Sequence, residues 1–143
     1  MNRHYLYDAH LKDPLVPKFL SMLKDKEIKL CVATGSPREY ATNGLSRLGL
    51  LGYMQFVTDN YEGSYTKDKP DYFLHLAKRL GTTPERCWVF EDALYAMKAA
   101  KGAGMRVCAI EDATASADRD EIKALADEYI MSYAELSGME ALS

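Results

Sequence analysis

Glu91 and Asp92 stand side by side after Cys87-Trp88-Val89-Phe90, a run that reads as a short buried strand. Carboxylates at such a strand end are costly to bury unless something positive sits opposite. Oxygen ligands of this kind suit Mg²⁺, which takes one or two protein carboxylates and fills its shell with water and substrate phosphate. Taken alone, the pair reads better as an acidic helix start with Asp92 as N-cap and Glu91 a solvated neighbour. A second group is Thr34-Gly35-Ser36-Pro37, at the end of the apolar run 28–33. Two hydroxyls and the backbone N–H groups of a turn that opens a helix can hold an anion. Alone, it reads better as an ordinary strand-to-helix turn with Ser36 as N-cap. The third group is Lys67 and Lys69, just ahead of Pro70-Asp71. A lysine there could hold a phosphate or balance the carboxylates at 91 and 92; the plain alternative is a solvated side chain.

The elements that must position these groups alternate. Asp13-Pro14 signals a helix start, and Val16, Phe19, Leu20 and Leu23 follow at helical spacing. The strand 28–33 leads through the Thr34 turn into a helix over 38–48, with Gly49 as its C′ residue. A strand at 55–57 and a polar loop over 61–69 come next. Pro70 then opens a helix to Leu80, striped by Phe73, Leu76, Ala77 and Leu80 and closed by Gly81. The strand 87–90 feeds an alanine-rich helix over 93–100, closed by Gly102 and Gly104. Arg106-Val107-Cys108-Ala109-Ile110 is the next strand and again ends in acid, Glu111-Asp112. A polar loop over 113–119, a helix over 121–126, a weak strand at 129–131 and a helical turn at 133–136 complete the chain. This alternation predicts an α/β fold, a parallel sheet with helices on both faces. In such a sheet, ligands gather at the carboxyl ends of the strands. The expected core is Phe19, Leu20, Leu23, Ile28, Leu30, Val32, Phe56, Phe73, Leu76, Val89, Phe90, Val107, Cys108 and Ile110.

Composition narrows the field. The chain has 143 residues, 48% of them apolar, which suits one domain with a real core. A net charge of -3 argues against nucleic acid, where a basic face is expected. No apolar run reaches membrane-spanning length, and 1–12 has no signal-peptide pattern. Cys31, Cys87 and Cys108 match no metal spacing, and an odd count suits a reducing compartment, so the cytoplasm is the expected location.

The ordered set of three groups resembles the haloacid dehalogenase (HAD) superfamily, most closely its β-phosphoglucomutase and phosphoglycolate phosphatase type. Val32-Ala33-Thr34-Gly35-Ser36 resembles the family's second motif, which holds the transferring phosphoryl group. Lys67-Asp68-Lys69-Pro70-Asp71 resembles the third, and its register selects Lys67 over Lys69. Val89-Phe90-Glu91-Asp92-Ala93, with Ala99-Ala100-Lys101-Gly102-Ala103-Gly104-Met105, resembles the fourth, whose carboxylates bind Mg²⁺. The resemblance implies a three-layer Rossmann-like core and a Mg²⁺-dependent phosphatase or phosphomutase acting on a small phosphorylated metabolite. Thr34 and Lys67 would be catalytic. Thr34, Gly35, Ser36 and Lys67 would bind phosphate, and Glu91 and Asp92 the metal. Arg38-Glu39, after the phosphate turn, could add a substrate contact.

One family motif is missing from its place. No apolar strand ending in Asp-x-Asp precedes Thr34; Asp8 and His10 are the one pair that could stand in. Residues 1–12 more closely resemble the return from a helical cap. The division expected is a cap or linker remnant over 1–12 and the core domain over 13–143. The chain then corresponds to the C-terminal portion of such an enzyme, inactive alone; a non-catalytic phosphate or metal binder derived from one is the alternative. The family's first strand is central, so its loss would leave a gap of about one strand spacing, ~4.8 Å, with two unpaired edges. Unpaired backbone in the core is costly. The gap is therefore expected to be filled by 1–7, to be filled by a strand from a second copy or another partner, or to close up with altered strand order.

Overall fold

The structure, a computed structural model, describes residues 15–35, 37–59, 66–131 and 135. Five helices and five strands alternate along it. They are α1 (Leu15–Asp25), β1 (Cys31–Thr34), α2 (Arg38–Arg47), β2 (Phe56–Asp59), α3 (Pro70–Leu80), β3 (Trp88–Glu91), α4 (Leu94–Gly102), β4 (Arg106–Ile110), α5 (Arg119–Leu125) and β5 (Glu128–Ile130). Short 3₁₀ turns lie at Leu51–Tyr53, Pro84–Arg86 and Ala113–Asp118. Every strand pairing is parallel. The α/β architecture with helices on both faces is the one the alternation predicted.

Helix ends follow local chemistry. α3 begins on Pro70, whose missing N–H costs nothing there. It ends on Gly81 at φ 76°, a left-handed conformation that only glycine adopts freely. The Thr82 N–H reaches back to the Ala77 carbonyl at 3.0 Å and closes that end. At the start of α2 the expected Ser36 cap is not the one seen: the capping position is Pro37, which has no side-chain oxygen to offer. A carboxylate from outside the helix takes over, and Asp59 Oδ2 accepts the Arg38 N–H at 2.6 Å.

Side-chain alternation along the strands divides the core into two layers. Val32, Val57, Cys108, Ile110 and Ile130 face α1 and α2, where Phe19, Leu23, Ala41 and Leu45 meet them. Ala33, Val107 and Ala109 face the opposite way, toward Phe73, Leu76, Met97 and Ile122 of α3, α4 and α5.

The sheet is in two pieces. β1 pairs with β2, and β3–β4–β5 form the other piece, with no ladder between β1 and β3. A cleft of about 730 Å³ separates them, lined by residues of β1 and β3 and by α1 and α3. The sheet has therefore not closed up, one of the three outcomes expected, and no strand among the described residues occupies the space. Residues 1–7, another expected filler, lie outside the described residues. The separation has a packing cause. Phe19 of α1 meets Phe90 of β3 edge-on, ring centroids 5.5 Å apart, while sharing a core with Val32 of β1. On the other face, Phe73 and Leu76 of α3 sit against the layer containing Ala33 and Val107. A helix on each face spans both pieces and holds them apart. The cleft also explains why Leu20, Ile28, Leu30, Val89 and Phe90, all expected in the core, are only half-buried: each lines it.

Candidate active site

Parallel strands bring their carboxyl ends to one edge, and the sequence places its polar groups there. Thr34 is the last residue of β1, Asp59 of β2 and Glu91 of β3. Thr34 and Asp59 are register partners. Asp112 lies two residues beyond β4, where its Oδ1 accepts from the N–H and hydroxyl of Thr114 at 2.8 and 2.6 Å. All four carry buried side chains.

The two lysines ahead of α3 part company. The Lys69 N–H donates to the Thr66 carbonyl at 3.0 Å, a turn that leaves Lys69 largely exposed while Lys67 runs inward and is 1% exposed. Lys67 Nζ donates to Glu91 Oε2 at 2.8 Å. Glu91 is wholly buried, and its second oxygen accepts the N–H groups of Asp92 and Ala93 at 3.1 and 3.3 Å. Burial alone would raise the Glu91 carboxyl. The Lys67 charge and these hydrogen bonds outweigh it and hold the group well below the usual carboxylate range.

Asp92 meets the opposite fate. It is 6% exposed, and its Oδ1 is buried with no hydrogen-bond partner. Burial first, then hydrogen bonding to Glu91 and the charges of Glu91 and Asp112, push its carboxyl up to about 8. It is not the helix N-cap, a position that falls to Ala93. Two adjacent carboxylates are thus divided. One is committed to a lysine; the other carries an unsatisfied oxygen and faces a hollow of about 420 Å³ bounded by Leu94, Tyr95, Lys98, Thr114 and Asp118.

This donor set fits a hard divalent cation. An orphaned carboxylate oxygen in a buried, negatively biased position is what a cation would satisfy, and Glu91 is one residue away. Among the described residues no group of three or more His, Cys, Asp or Glu forms a cage. That sparse set suits Mg²⁺, which keeps several waters, better than an ion held wholly by protein.

Of the residues expected at the site, Lys67, Glu91 and Asp92 are brought together. Thr34 ends the neighbouring β1, fully buried, and Gly35 follows it exposed. Ser36 lies outside the described residues, as do Asp8 and His10. Asp59 and Asp112 belong to the same edge and were not assigned a role from sequence. Their signal was present: each closes or follows an apolar strand with an acid, as Glu91 and Asp92 do.

Comparison with known proteins is consistent with this geometry. The family model described as haloacid dehalogenase-like hydrolase matches residues 2–104. A phosphorylated carbohydrates phosphatase of Thermotoga maritima is 35% identical over 94 residues, 66% of this chain and 44% of that protein. The fructose-1-phosphate phosphatase YqaB of Escherichia coli is 41% identical over 76 residues, 53% of this chain and 40% of that protein. The crystal structure of β-phosphoglucomutase from Clostridium difficile superimposes with a TM-score of 0.71 at 26% identity, covering 86% of this chain and 51% of that one. The chain thus spans less than half the length of these two phosphatases.

Proposed function

Because the chain belongs to the haloacid dehalogenase-like hydrolases, we propose that it is the C-terminal core portion of a Mg²⁺-dependent phosphatase or phosphomutase acting on a small phosphorylated metabolite. Relatives named for phosphorylated carbohydrates and fructose 1-phosphate support a sugar phosphate as the substrate class. The observation that carries the reading is the division of labour at the β3 end: Lys67 locked to Glu91 at 2.8 Å, with Asp92 beside them presenting an unpartnered oxygen.

Each residue then has a task. A phosphoryl group in transfer spreads negative charge over its oxygens, so catalysis is mainly positioning and electrostatic stabilisation. Thr34 and the Gly35 N–H, with Ser36 by the family's motif, would hold the phosphate. Lys67 supplies a positive charge whose position Glu91 fixes. Glu91 and Asp92 would hold Mg²⁺, directly or through water, with the unpartnered oxygen of Asp92 supporting that role. Bound Mg²⁺ would neutralise phosphate charge at this edge. Burial excludes water from Lys67 and Glu91, which strengthens both charges' influence.

On this reading 1–12 is the cap or linker remnant and 13–143 the core. The chain alone turns over little or no substrate, since no apolar strand ending in Asp-x-Asp precedes Thr34. That same observation favours the second reading, a non-catalytic phosphate and metal binder. Association through the divided sheet, with a second copy or a strand-bearing partner, is part of the proposal, and so is a cytoplasmic location, supported by three free cysteines. No helix among the described residues is long and apolar enough to cross a membrane.

The test is calorimetric titration of the folded chain with MgCl₂ and inorganic phosphate, beside turnover of fructose 1-phosphate. Phosphate binding that needs Mg²⁺ and is lost in Asp92→Asn is expected. A folded chain that binds neither would overturn both readings. Turnover abolished by Asp8→Asn would make the chain a complete enzyme with Asp8 as nucleophile.

A further inference from the structure

We infer that the hollow between the first turn of α4 and the 3₁₀ turn at Ala113–Asp118 is a subsite for the non-reacting part of the substrate, and that it takes a polyhydroxylated carbon skeleton laid against the ring of Tyr95. This assignment rests on the phosphoryl-transfer reading, which puts phosphate and cation beside Asp92. Asp92 is 6% exposed, its Oδ1 has no hydrogen-bond partner, and it lines the hollow. A phosphoester held at Asp92 therefore sits beside this space, and the group it carries has somewhere to go. The volume, about 420 Å³, falls within the ~300–1,000 Å³ of small-molecule sites, toward the small end.

Local folding explains why the hollow has two unlike walls. α4 buries Ala96, Met97, Ala99 and Ala100. Tyr95 and Lys98, three residues apart and so neighbours on a helix, are left on its exposed side. Opposite them, Asp112 Oδ1 accepts from the N–H and hydroxyl of Thr114, which ties down the start of the 3₁₀ turn. Thr114 and Asp118 of that turn complete the lining.

The lining selects a chemical class. Tyr95 is 51% exposed, so its ring offers an open apolar surface to C–H groups. Asp118 is exposed and offers an acceptor to hydroxyls. Lys98 is the only cation lining the hollow among the described residues, and it already pairs with Glu121 at 2.8 Å. With that charge matched and two carboxylates, Asp92 and Asp118, on the lining, a second phosphate is disfavoured. A wholly apolar substituent would cover polar groups without satisfying them. A polyol meets both demands, with C–H groups against the ring and hydroxyls toward the acids. A single exposed tyrosine needs no explanation by itself. What assigns Tyr95 is the coincidence of its open ring, a walled space and a buried oxygen with no partner.

The test compares two ligands on the folded full chain, by calorimetric titration in MgCl₂. Inorganic phosphate has no substituent to place; fructose 1-phosphate has one. Fructose 1-phosphate is expected to bind about fivefold more tightly than phosphate, the scale of one good aromatic contact. Tyr95→Ala should remove most of that preference and leave phosphate affinity unchanged. Tyr95→Phe, which keeps the ring, should retain the preference. Amide exchange at Met97 and Thr114, whose N–H groups are bonded on either side of the hollow, should slow with fructose 1-phosphate and not with phosphate. Equal binding of the two ligands, or a full preference in Tyr95→Ala, overturns the subsite and leaves the phosphoryl-transfer reading standing. Equal weakening of both ligands by Tyr95→Ala would make the residue structural and overturns the subsite too. An unmodified chain that binds neither ligand overturns that reading and the subsite with it.

Discussion

Replacing Lys67 with methionine isolates the energetics of the site. The substitution keeps the apolar stem and removes only the charge opposite Glu91, which is fully buried and 2.8 Å away. Glu91 would be left as an uncompensated buried carboxylate. Breaking such a pair from one side costs about 3–5 kcal/mol. That is a large share of the ~5–15 kcal/mol typical of a native domain. In a chain of this size it corresponds to roughly 6–20 °C in Tm. The pH dependence separates this cause from simple loss of packing. In the unmodified protein the Glu91 carboxyl lies below its unfolded value. Its contribution is therefore present above the unfolded carboxylate value of about 4.3 and is lost as pH falls toward the folded value. In Lys67→Met the dominant influence left on Glu91 is burial, which raises it, so stability falls as pH rises above about 4.3. The deficit of the variant is thus greatest at neutral pH and shrinks on acidification. Lys67→Met/Glu91→Gln should recover more than half of it, since the glutamine oxygen still accepts from the N–H groups of Asp92 and Ala93. Urea denaturation of the unmodified chain and the two variants between pH 4 and 8 makes the measurement. A Lys67→Met cost below about 1 kcal/mol, flat across that range, would refute the reasoning.

Three further perturbations test the scaffold. Leu45→Ala removes a side chain with no exposure from the layer under α2, and calorimetry should show a loss of about 2–5 kcal/mol. Asp127 accepts the Val107 N–H at 2.8 Å and pairs with Lys101 at 3.0 Å, which holds its carboxyl below the ordinary value despite the opposing effect of burial. Asp127→Asn should therefore cost stability at neutral pH, with the difference from the unmodified chain vanishing as pH falls through the folded carboxylate value, followed by thermal melts across that range. Gly81→Ala places a β-carbon at φ 76° with only the flexible Lys29 ammonium 3.5 Å away, so strain rather than crowding should set a cost of about 1–2 kcal/mol in equilibrium unfolding.

Much of this was legible because local rules and global fold agree. Gly49 and Gly81 close α2 and α3 at positive φ, where Cβ sterics favour glycine. Pro70 opens α3 for an equally local reason. The three-group order singled out Lys67, Glu91 and Asp92, which the structure brings together at the end of β3. What sequence could not resolve depends on long-range partners. Ser36 and Asp92 are good capping residues, yet the capping positions fall to Pro37 and Ala93. Asp59, twenty-one residues from Arg38, caps α2 instead, and no local pattern predicts that. The different fates of Glu91 and Asp92 were equally hidden. Chemically similar neighbours are distinguished only by which of them Lys67 reaches. The half-burial of Val89 and Phe90 contradicts their apolar character because the cause lies across the sheet, in the cleft, and not in their own strand.

The Lys67–Glu91 pair also has an architectural consequence. Lys67 follows β2, in the piece of sheet formed with β1, while Glu91 ends β3 in the other piece. With no ladder between β1 and β3, the two pieces are joined by apolar contacts through the helices and by this buried ion pair. Apolar contacts are non-directional and permit sliding; a charged bond of 2.8 Å to a Glu91 held by two further hydrogen bonds does not. The pair therefore fixes the register of the two strand ends relative to each other. That register decides whether Thr34 and Asp92 can face one ligand. Opening the cleft by a strand's width would cost the pair before it cost much apolar burial. It follows that Lys67→Met should loosen the site beyond removing a charge, with amide exchange at Thr34 and Asp92 accelerating together. Acceleration at Asp92 alone would mean that the helices, and not the ion pair, set the spacing of the two pieces.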